Sequence, residues 1–93
     1  MAFFLVKGRN GVVIKDDDQK AEYCKKYLKE SVVEIFAYYD DAMLAGVKHL
    51  ESITPKRIPV PHSFRLNDMI TVKMLTMYYY YNPYSERNRH SHN

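Results

Sequence analysis

The chain has 93 residues, of which 46% are apolar and 27% charged, and its formal net charge is +3 at pH 7. This size allows one small domain, and no run of about 18 apolar residues is long enough for a membrane span. The single cysteine, Cys24, excludes an internal disulfide framework, and the short apolar start lacks a secretory cleavage motif, so we expect an intracellular, cytoplasmic protein.

Positive charge is concentrated in the second half of the chain. Residues 1–52 hold eight Lys or Arg against nine Asp or Glu, whereas residues 53–93 hold six against two. The basic half also contains most of the tyrosines. Basic groups beside aromatic rings are typical of a surface for single-stranded nucleic acid, but a charge cluster can also be only a solvated tail.

The first predicted element is a β-hairpin. Residues 3–6 and 12–14 are short runs of aromatic and branched side chains, and Asn10-Gly11 lies between them. Asn and Gly tolerate the positive φ angles that a type I′ turn requires. The pattern therefore predicts strands at about 2–7 and 11–15, joined by such a turn.

A helix is predicted after this hairpin, over residues 19–30. The aspartates at 16–18 can accept hydrogen bonds from the free backbone N–H groups of a first helical turn. Ala21, Cys24 and Leu28 follow at spacings of three and four, so they share one face of the helix.

A strand over residues 32–39 and a second helix over 41–50 are predicted next. Asp40 is a good N-cap for the second helix, and Ala45 and Gly46 are small enough to let it lie close to the sheet. The order is then strand, strand, helix, strand, helix.

The rest of the chain divides into three segments. Residues 53–62 contain three prolines, which remove backbone donors and predict an extended strap. Residues 63–84 form a Tyr-rich segment that packs on the domain or on a partner. Residues 85–93 contain no apolar side chain and are predicted to be a disordered basic tail.

The Tyr-rich segment has two possible structures. Asn67-Asp68 could cap a helix over 69–77, whereas the branched residues at 70–72 and the consecutive tyrosines favour a strand. We favour the strand. The fold class predicted for residues 1–52 is thus α+β, a three-stranded antiparallel sheet with two helices on one face, followed by an appended C-terminal segment.

No pattern of residues indicates catalysis, a cofactor or a metal. Cys24 lies on an apolar helix face with no histidine near it in sequence, which is typical of a core residue. The aspartate clusters are explained by helix capping, and His90 and His92 supply only two ligands. With three glycines there is no phosphate-binding loop. We predict a protein that is not an enzyme and binds no cofactor.

The late tyrosines are candidates for a binding surface. Nucleic-acid bases stack on aromatic rings, but tyrosine is also enriched in protein interfaces. Because the charge near these rings is modest, a partner or self-association interface is favoured for them. They are Tyr78, Tyr79, Tyr80, Tyr81 and Tyr84.

The first half resembles a known family. The run FLVKGRNGV at 4–12 is similar to the first strand, K-G-R turn and second strand of the small domain shared by caulimovirus viroplasmin and the N-terminal hybrid-binding domain of eukaryotic ribonuclease H. Residues 22–26 are similar to its E-x-C-K-x helix. Phe36 and Ala42 are similar to its F-x-x-x-x-E-A spacing, with Asp41 in place of glutamate. The resemblance covers residues 3–50.

This resemblance implies the same element order and binding of an RNA–DNA hybrid or duplex RNA by basic residues and one aromatic ring. The contacts that it carries over are Lys7, Arg9, Lys25, Lys26 and Phe36. The chain departs from the family at Ala21, where the family has tryptophan, and at Glu34-Ile35, which replaces a lysine pair. A glutamate facing phosphate is repulsive.

The sequence therefore predicts a non-enzymatic nucleic-acid-binding module for a hybrid, duplex RNA or a single strand. Arg57 and Arg65 extend the predicted set of phosphate contacts. The small size fits a viral or phage accessory protein acting in the host cytoplasm. The alternative is a protein-interaction or self-assembling factor whose tyrosine-rich surface binds or inhibits a host protein.

Overall fold

The structure is a computed structural model of the chain, in which residues 1–81 are described. The predicted disordered tail and Tyr84 lie outside the described residues. The elements, in chain order, are β1 (Phe3–Lys7), β2 (Gly11–Lys15), α1 (Asp18–Tyr27), β3 (Val32–Phe36), α2 (Tyr39–Ile53), β4 (Met69–Thr71) and α3 (Val72–Tyr81). The strands form one antiparallel sheet in the order β3-β1-β2-β4.

The α+β class is confirmed, but the two helices of the predicted domain lie on opposite faces of the sheet. Phe4, Val6 and Val13 pack against α1, and the alternate residues Leu5 and Ile14 pack against α2. Successive residues of a strand point to opposite faces, so uninterrupted apolar runs need a cover on each side. The prediction that both helices share one face was therefore wrong.

The predicted caps had different outcomes. Asp17 is the N-cap of α1, and its carboxylate accepts hydrogen bonds from the backbone N–H groups of Gln19 at 2.8 Å and Lys20 at 3.2 Å. The capping role of the first aspartate cluster is thus confirmed. Asp40 is not a cap, because α2 begins one residue before it with Tyr38 at the N-cap position. Asp40 lies in the first turn, where its charge suits the positive end of the helix.

The hairpin is confirmed, although its turn differs from the predicted one. Lys7 pairs with Val12, and the Gly8 N–H donates to the Gly11 carbonyl at 2.8 Å. Within residues 1–81 only Asn67 among non-glycine residues has a positive φ, and no glycine there has one. A type I′ turn is therefore excluded. Gly11 is required for space instead, since a Cβ atom on it would lie 2.3 Å from the Ile70 carbonyl oxygen of β4.

The strap predicted over 53–62 begins one residue later and is longer, because Ile53 belongs to α2. Residues 54–68, called the strap from here on, contain neither helix nor strand and cover the α2 side of the core. The Phe64 ring is buried beside Gly46, where an added Cβ atom would approach the ring to 2.9 Å. The Tyr39 hydroxyl donates to the Phe64 carbonyl at 2.6 Å. A small residue on α2 and one tyrosine thus hold the strap in place.

The strand favoured for the Tyr-rich segment is present only at β4, and the segment is helical from Val72 onward. Thr71, the last residue of β4, pairs with Gly11, the first residue of β2, so a strand that continued past Thr71 would run beyond its partner strand. A helix satisfies its own backbone groups. Thr71 Oγ1 accepts from the Met74 N–H at 3.1 Å and caps the first turn of α3. The sheet consequently has four strands and the described chain three helices, one more of each than predicted.

Replacing Gly11 with alanine should disturb the β2–β4 pairing. The new methyl group meets backbone rather than a flexible side chain, so we expect a loss of about 1–3 kcal/mol in the free energy of unfolding. Urea denaturation measures the loss, and hydrogen exchange should show faster exchange in β4. Gly8→Ala is the matched control, because its Cβ would lie 3.6 Å from the nearest atom. Equal stabilities of the two variants would contradict this account of Gly11.

Tyr39→Phe should change how stability depends on alkaline pH. Burial, aided by the charges of Asp40 and Asp68, raises the pKa of Tyr39 above its ordinary value of 10.0. The unfolded chain therefore ionises first, so the stability contributed by Tyr39 is complete below pH 10 and is lost as pH rises through the higher pKa of the folded state.

At pH 7 the free energy of unfolding of the variant should be about 1 kcal/mol lower than that of wild type, because the variant lacks the hydrogen bond to Phe64. Above pH 10 the difference from wild type should shrink. Urea denaturation of both proteins between neutral and alkaline pH measures it, and the tyrosines common to both proteins cancel in the comparison. A difference that is constant with pH would refute the assignment.

Candidate interaction surfaces

The structure distributes the predicted nucleic-acid contacts over two sides of the sheet. Lys7 and Phe36 lie on the side covered by α2, whereas Lys25 and Lys26 are on α1, which covers the other side. Arg57 and Arg65 are exposed in the strap, on the α2 side. These residues therefore do not form one continuous surface. Phe36 is half-buried and packs against the core.

Two of the predicted phosphate contacts are paired with carboxylates. Lys7 Nζ forms a half-buried ion pair with Glu34 on the neighbouring strand β3. Arg9 Nη2 lies 2.7 Å from Glu30 Oε2, in an exposed pair that links the hairpin loop to the turn after α1. Each pair cancels a positive charge that phosphate would need, and the exposed pair adds little stability in water.

The outer surface of α1 carries a pair of tyrosine rings that sequence analysis did not single out. The centroids of Tyr23 and Tyr27 are 4.5 Å apart with the planes inclined by 39°, and the two side chains are 62% and 64% exposed. Lys20 and Lys26 lie three positions before and after Tyr23, which places them beside it on the helix. The sequence did contain a signal for this surface, because Tyr23 and Tyr27 are four residues apart and so share one face of α1, opposite the buried Ala21.

The four described tyrosines of the predicted interface are divided between two sides of α3. Tyr79 and Tyr80 are half-buried, and their ring centroids lie 5.2 Å apart in an edge-on arrangement. The Arg57 guanidinium lies 5.7 Å from the centre of the Tyr80 ring and so connects α3 to the strap. Leu75 packs against the α2-side core. One side of α3 thus lies against the rest of the fold.

The other side of α3 is apolar and exposed. Its side chains are Met74 and Met77, each 52% exposed, with Tyr78 at 71% and Tyr81 at 80%. They occur at positions i, i+3, i+4 and i+7, so they form one stripe along the helix, which we call the α3 outer face. The charged residue of α3 is Lys73. The two methionines are not part of the predicted interface, because the strand favoured for this segment would not place them on one face with Tyr78 and Tyr81.

An open groove of about 350 Å³ lies between the hairpin loop, the end of α1 and β4. Val6, Leu28 and Met69 contribute apolar walls, and the Arg9–Glu30 pair is part of its lining. Ser31 also lines it, but the hydroxyl oxygen of Ser31 is buried and without a hydrogen-bond partner in residues 1–81. The groove thus presents mainly apolar surface and an ion pair that is already formed.

Cys24 and His49, two residues that could carry chemistry, make contacts that stabilise the fold. Cys24 is half-buried against the α1-side core. His49 Nε2 lies 2.8 Å from the Gly8 carbonyl oxygen and so joins α2 to the hairpin loop. In the described part of the chain no three His, Cys, Asp or Glu side chains are grouped as a metal ion requires, and His90 and His92 lie outside it. Over the same residues, no helix has the length and hydropathy to cross a membrane.

The chain was compared with protein-family models, curated proteins and solved structures, and none of them matches it. The resemblance to viroplasmin and to the hybrid-binding domain of ribonuclease H therefore stays a prediction from short motifs.

Proposed function

We propose that the chain is a non-enzymatic protein-interaction module that binds another protein through the α3 outer face. The observation that carries this proposal is the stripe formed by Met74, Met77, Tyr78 and Tyr81. Contiguous apolar patches on a small protein mark interaction sites. Anchors at i, i+3, i+4 and i+7 are the pattern by which an apolar helix face docks against a partner.

The support beneath α3 favours the same function. The helix is capped by Thr71, and the Val72 N–H donates to the Asn10 carbonyl of the hairpin loop at 2.8 Å. The Arg57–Tyr80 contact holds the helix from the strap side. A helix that is already formed and anchored loses less conformational entropy on binding than a flexible segment does.

The distribution of charge gives less support to nucleic acid than to protein as the main partner. Lys7 and Arg9 are already paired with Glu34 and Glu30. The tyrosines of α3 have only Lys73 as a charged neighbour within that helix. Phosphate binding depends on several unpaired cations acting together, and these two ion pairs remove two of the predicted contacts.

A photo-crosslinking amino acid tests the proposal. Benzoylphenylalanine in place of Tyr78, in cells that express the full chain, should give protein adducts at least about fivefold more often than the same replacement at Tyr38. Tyr38 is the matched control because it is also 71% exposed but precedes α2. Mass spectrometry identifies the adduct. Equal yields at the two positions, or no adduct at Tyr78, would show that the α3 outer face contacts no protein.

We also propose a second candidate function, binding of single-stranded nucleic acid on the outer surface of α1. It is supported by the exposed Tyr23–Tyr27 pair with Lys20 and Lys26 beside it. Exposed rings stack on bases and flanking cations attract the backbone. Glu22 on the same helix reduces the local positive charge, so this affinity should be modest and sensitive to salt.

The double variant Tyr23→Ala, Tyr27→Ala tests this second candidate. Loss of the stacking rings should lower affinity for a single-stranded oligonucleotide by about 10-fold or more at ~50 mM salt, since each stacked base contributes about 1–3 kcal/mol. Wild-type affinity should fall steeply by ~200 mM salt. Fluorescence anisotropy measures both, with duplex RNA and RNA–DNA hybrid as comparison probes.

Tyr38→Ala is the control for this experiment, because it removes an equally exposed tyrosine from another part of the surface. If wild type fails to bind any of the three probes at the lower salt concentration, nucleic acid is eliminated as a partner. If the double variant binds as wild type does, the α1 rings are not the contact.

A further inference from the structure

We infer that the partner of the α3 outer face is a second copy of this chain, bound as an antiparallel α3 pair about a two-fold axis. This inference rests on the proposed function, because it names the protein that the α3 outer face binds. It follows from the spacing, the chemistry and the area of that face.

The spacing of the four anchors is the same in both directions along the helix. The intervals from Met74 to Tyr81 are three, one and three residues, which read identically when reversed. If two copies of α3 lie antiparallel with the axis between positions 77 and 78, Met74 faces the partner's Tyr81 and Met77 faces the partner's Tyr78. Every anchor then has an opposing anchor, as an isologous interface requires.

The chemistry of the stripe complements itself in this arrangement alone. The methionines occupy the first half of the stripe and the tyrosines the second, so antiparallel pairing brings each thioether against an aromatic ring, which is a favourable contact. The hydroxyl groups of tyrosines at such an interface can stay at its wet rim. Parallel pairing would oppose like residues, with methionine on methionine and tyrosine on tyrosine.

Charge favours the antiparallel arrangement as well. A parallel pair would bring the two copies of Lys73 side by side at the same end. In the antiparallel pair they lie at opposite ends, about 14 Å apart along the helix axis at 1.5 Å per residue. That separation exceeds the screening length at physiological salt, so their repulsion is small.

The exposed area is sufficient for a weak dimer. The four side chains are between one half and four fifths exposed, which corresponds to about 500 Å² per copy. Two copies would bury at most about 1,000 Å², which is the lower bound for a specific interface. We therefore expect association with a Kd of about 10 μM and a reversible dependence on concentration.

Sedimentation velocity on the full chain, from about 5 to 500 μM, tests this inference. Wild type should shift from monomer to dimer across the range. Met74→Glu and Tyr81→Lys should each weaken self-association at least about tenfold, because each buries a charge against an apolar side chain. Leu44→Glu is the matched control, since Leu44 is 58% exposed on α2 and the substitution adds the same charge away from α3.

Mixing the two α3 variants tests the orientation. In the antiparallel register the carboxylate introduced at position 74 of one copy faces the ammonium introduced at position 81 of the other, while the second pair keeps its native methionine and tyrosine. The mixture should therefore recover dimers that neither variant forms alone. Circular dichroism and urea midpoints equal to wild type establish that the variants are folded.

Three results would overturn the inference: a wild-type monomer at the highest concentration, a dimer that tolerates both α3 variants, or a mixture that stays monomeric. If wild type is monomeric and the Tyr78 crosslink joins a different protein, this inference fails and the proposed function stands. If the Tyr78 position also gives no adduct, both fail.

Discussion

Burial of the β1–β2 hairpin on both of its faces is the constraint on which the rest of the structure depends. Leu5, Val6, Val13 and Ile14 have no solvent exposure. Burying each such side chain stabilises the fold by about 1.5–3 kcal/mol, but only if both faces are covered. α1 covers one face, and α2 with the strap covers the other. The two helices are therefore required on opposite sides of the sheet, where each covers one face of the core.

The hairpin loop connects this core to the surface that we propose to be functional. The Gly8 carbonyl contacts His49 of α2, and the Asn10 carbonyl accepts from Val72 at the start of α3. Gly11 permits the close approach of β4. Consequently the position of α3 is set by backbone groups of the loop that joins the two central strands, although no side chain of α3 is itself buried. A binding helix on such a base keeps its geometry without being part of the core.

Local patterns were enough to predict the type and order of the first five elements, because each depends on neighbours within one strand or one helical turn. The bounds were less accurate, since the strand predicted over 32–39 ends at Phe36 and α2 already begins at Tyr39. The placement of the helices was also indicated in the sequence, since residues 3–6 and 12–14 are apolar without alternation, which is typical of strands buried on both sides. The end of β4 was not predictable in this way. It depends on where the neighbouring strand begins, since Gly11 at the start of β2 pairs with Thr71, whereas the branched residues at 70–72 favour a strand when considered alone. Thr71 was a local signal for the start of α3, because threonine can cap a helix. The branched residues on either side of it favour a strand and made this signal easy to overlook.

The charge of the candidate site was the part least accessible from sequence. Lys7 and Glu34 are 27 residues apart and become neighbours only because β1 pairs with β3. The same glutamate distinguishes this chain from the family that its first half resembles, and in the fold it neutralises a lysine that the resemblance assigns to phosphate. A positive residue on a strand can therefore be assigned to a ligand only after the strand beside it is known.

The apolar stripe of α3 differs from these lysines, because no side chain within the described chain covers it. Exposure of apolar side chains to water is unfavourable, and burial against a partner removes that cost. On these grounds the methionine and tyrosine side chains of α3 support the assignment to a protein partner better than the lysines of the sheet support one to nucleic acid.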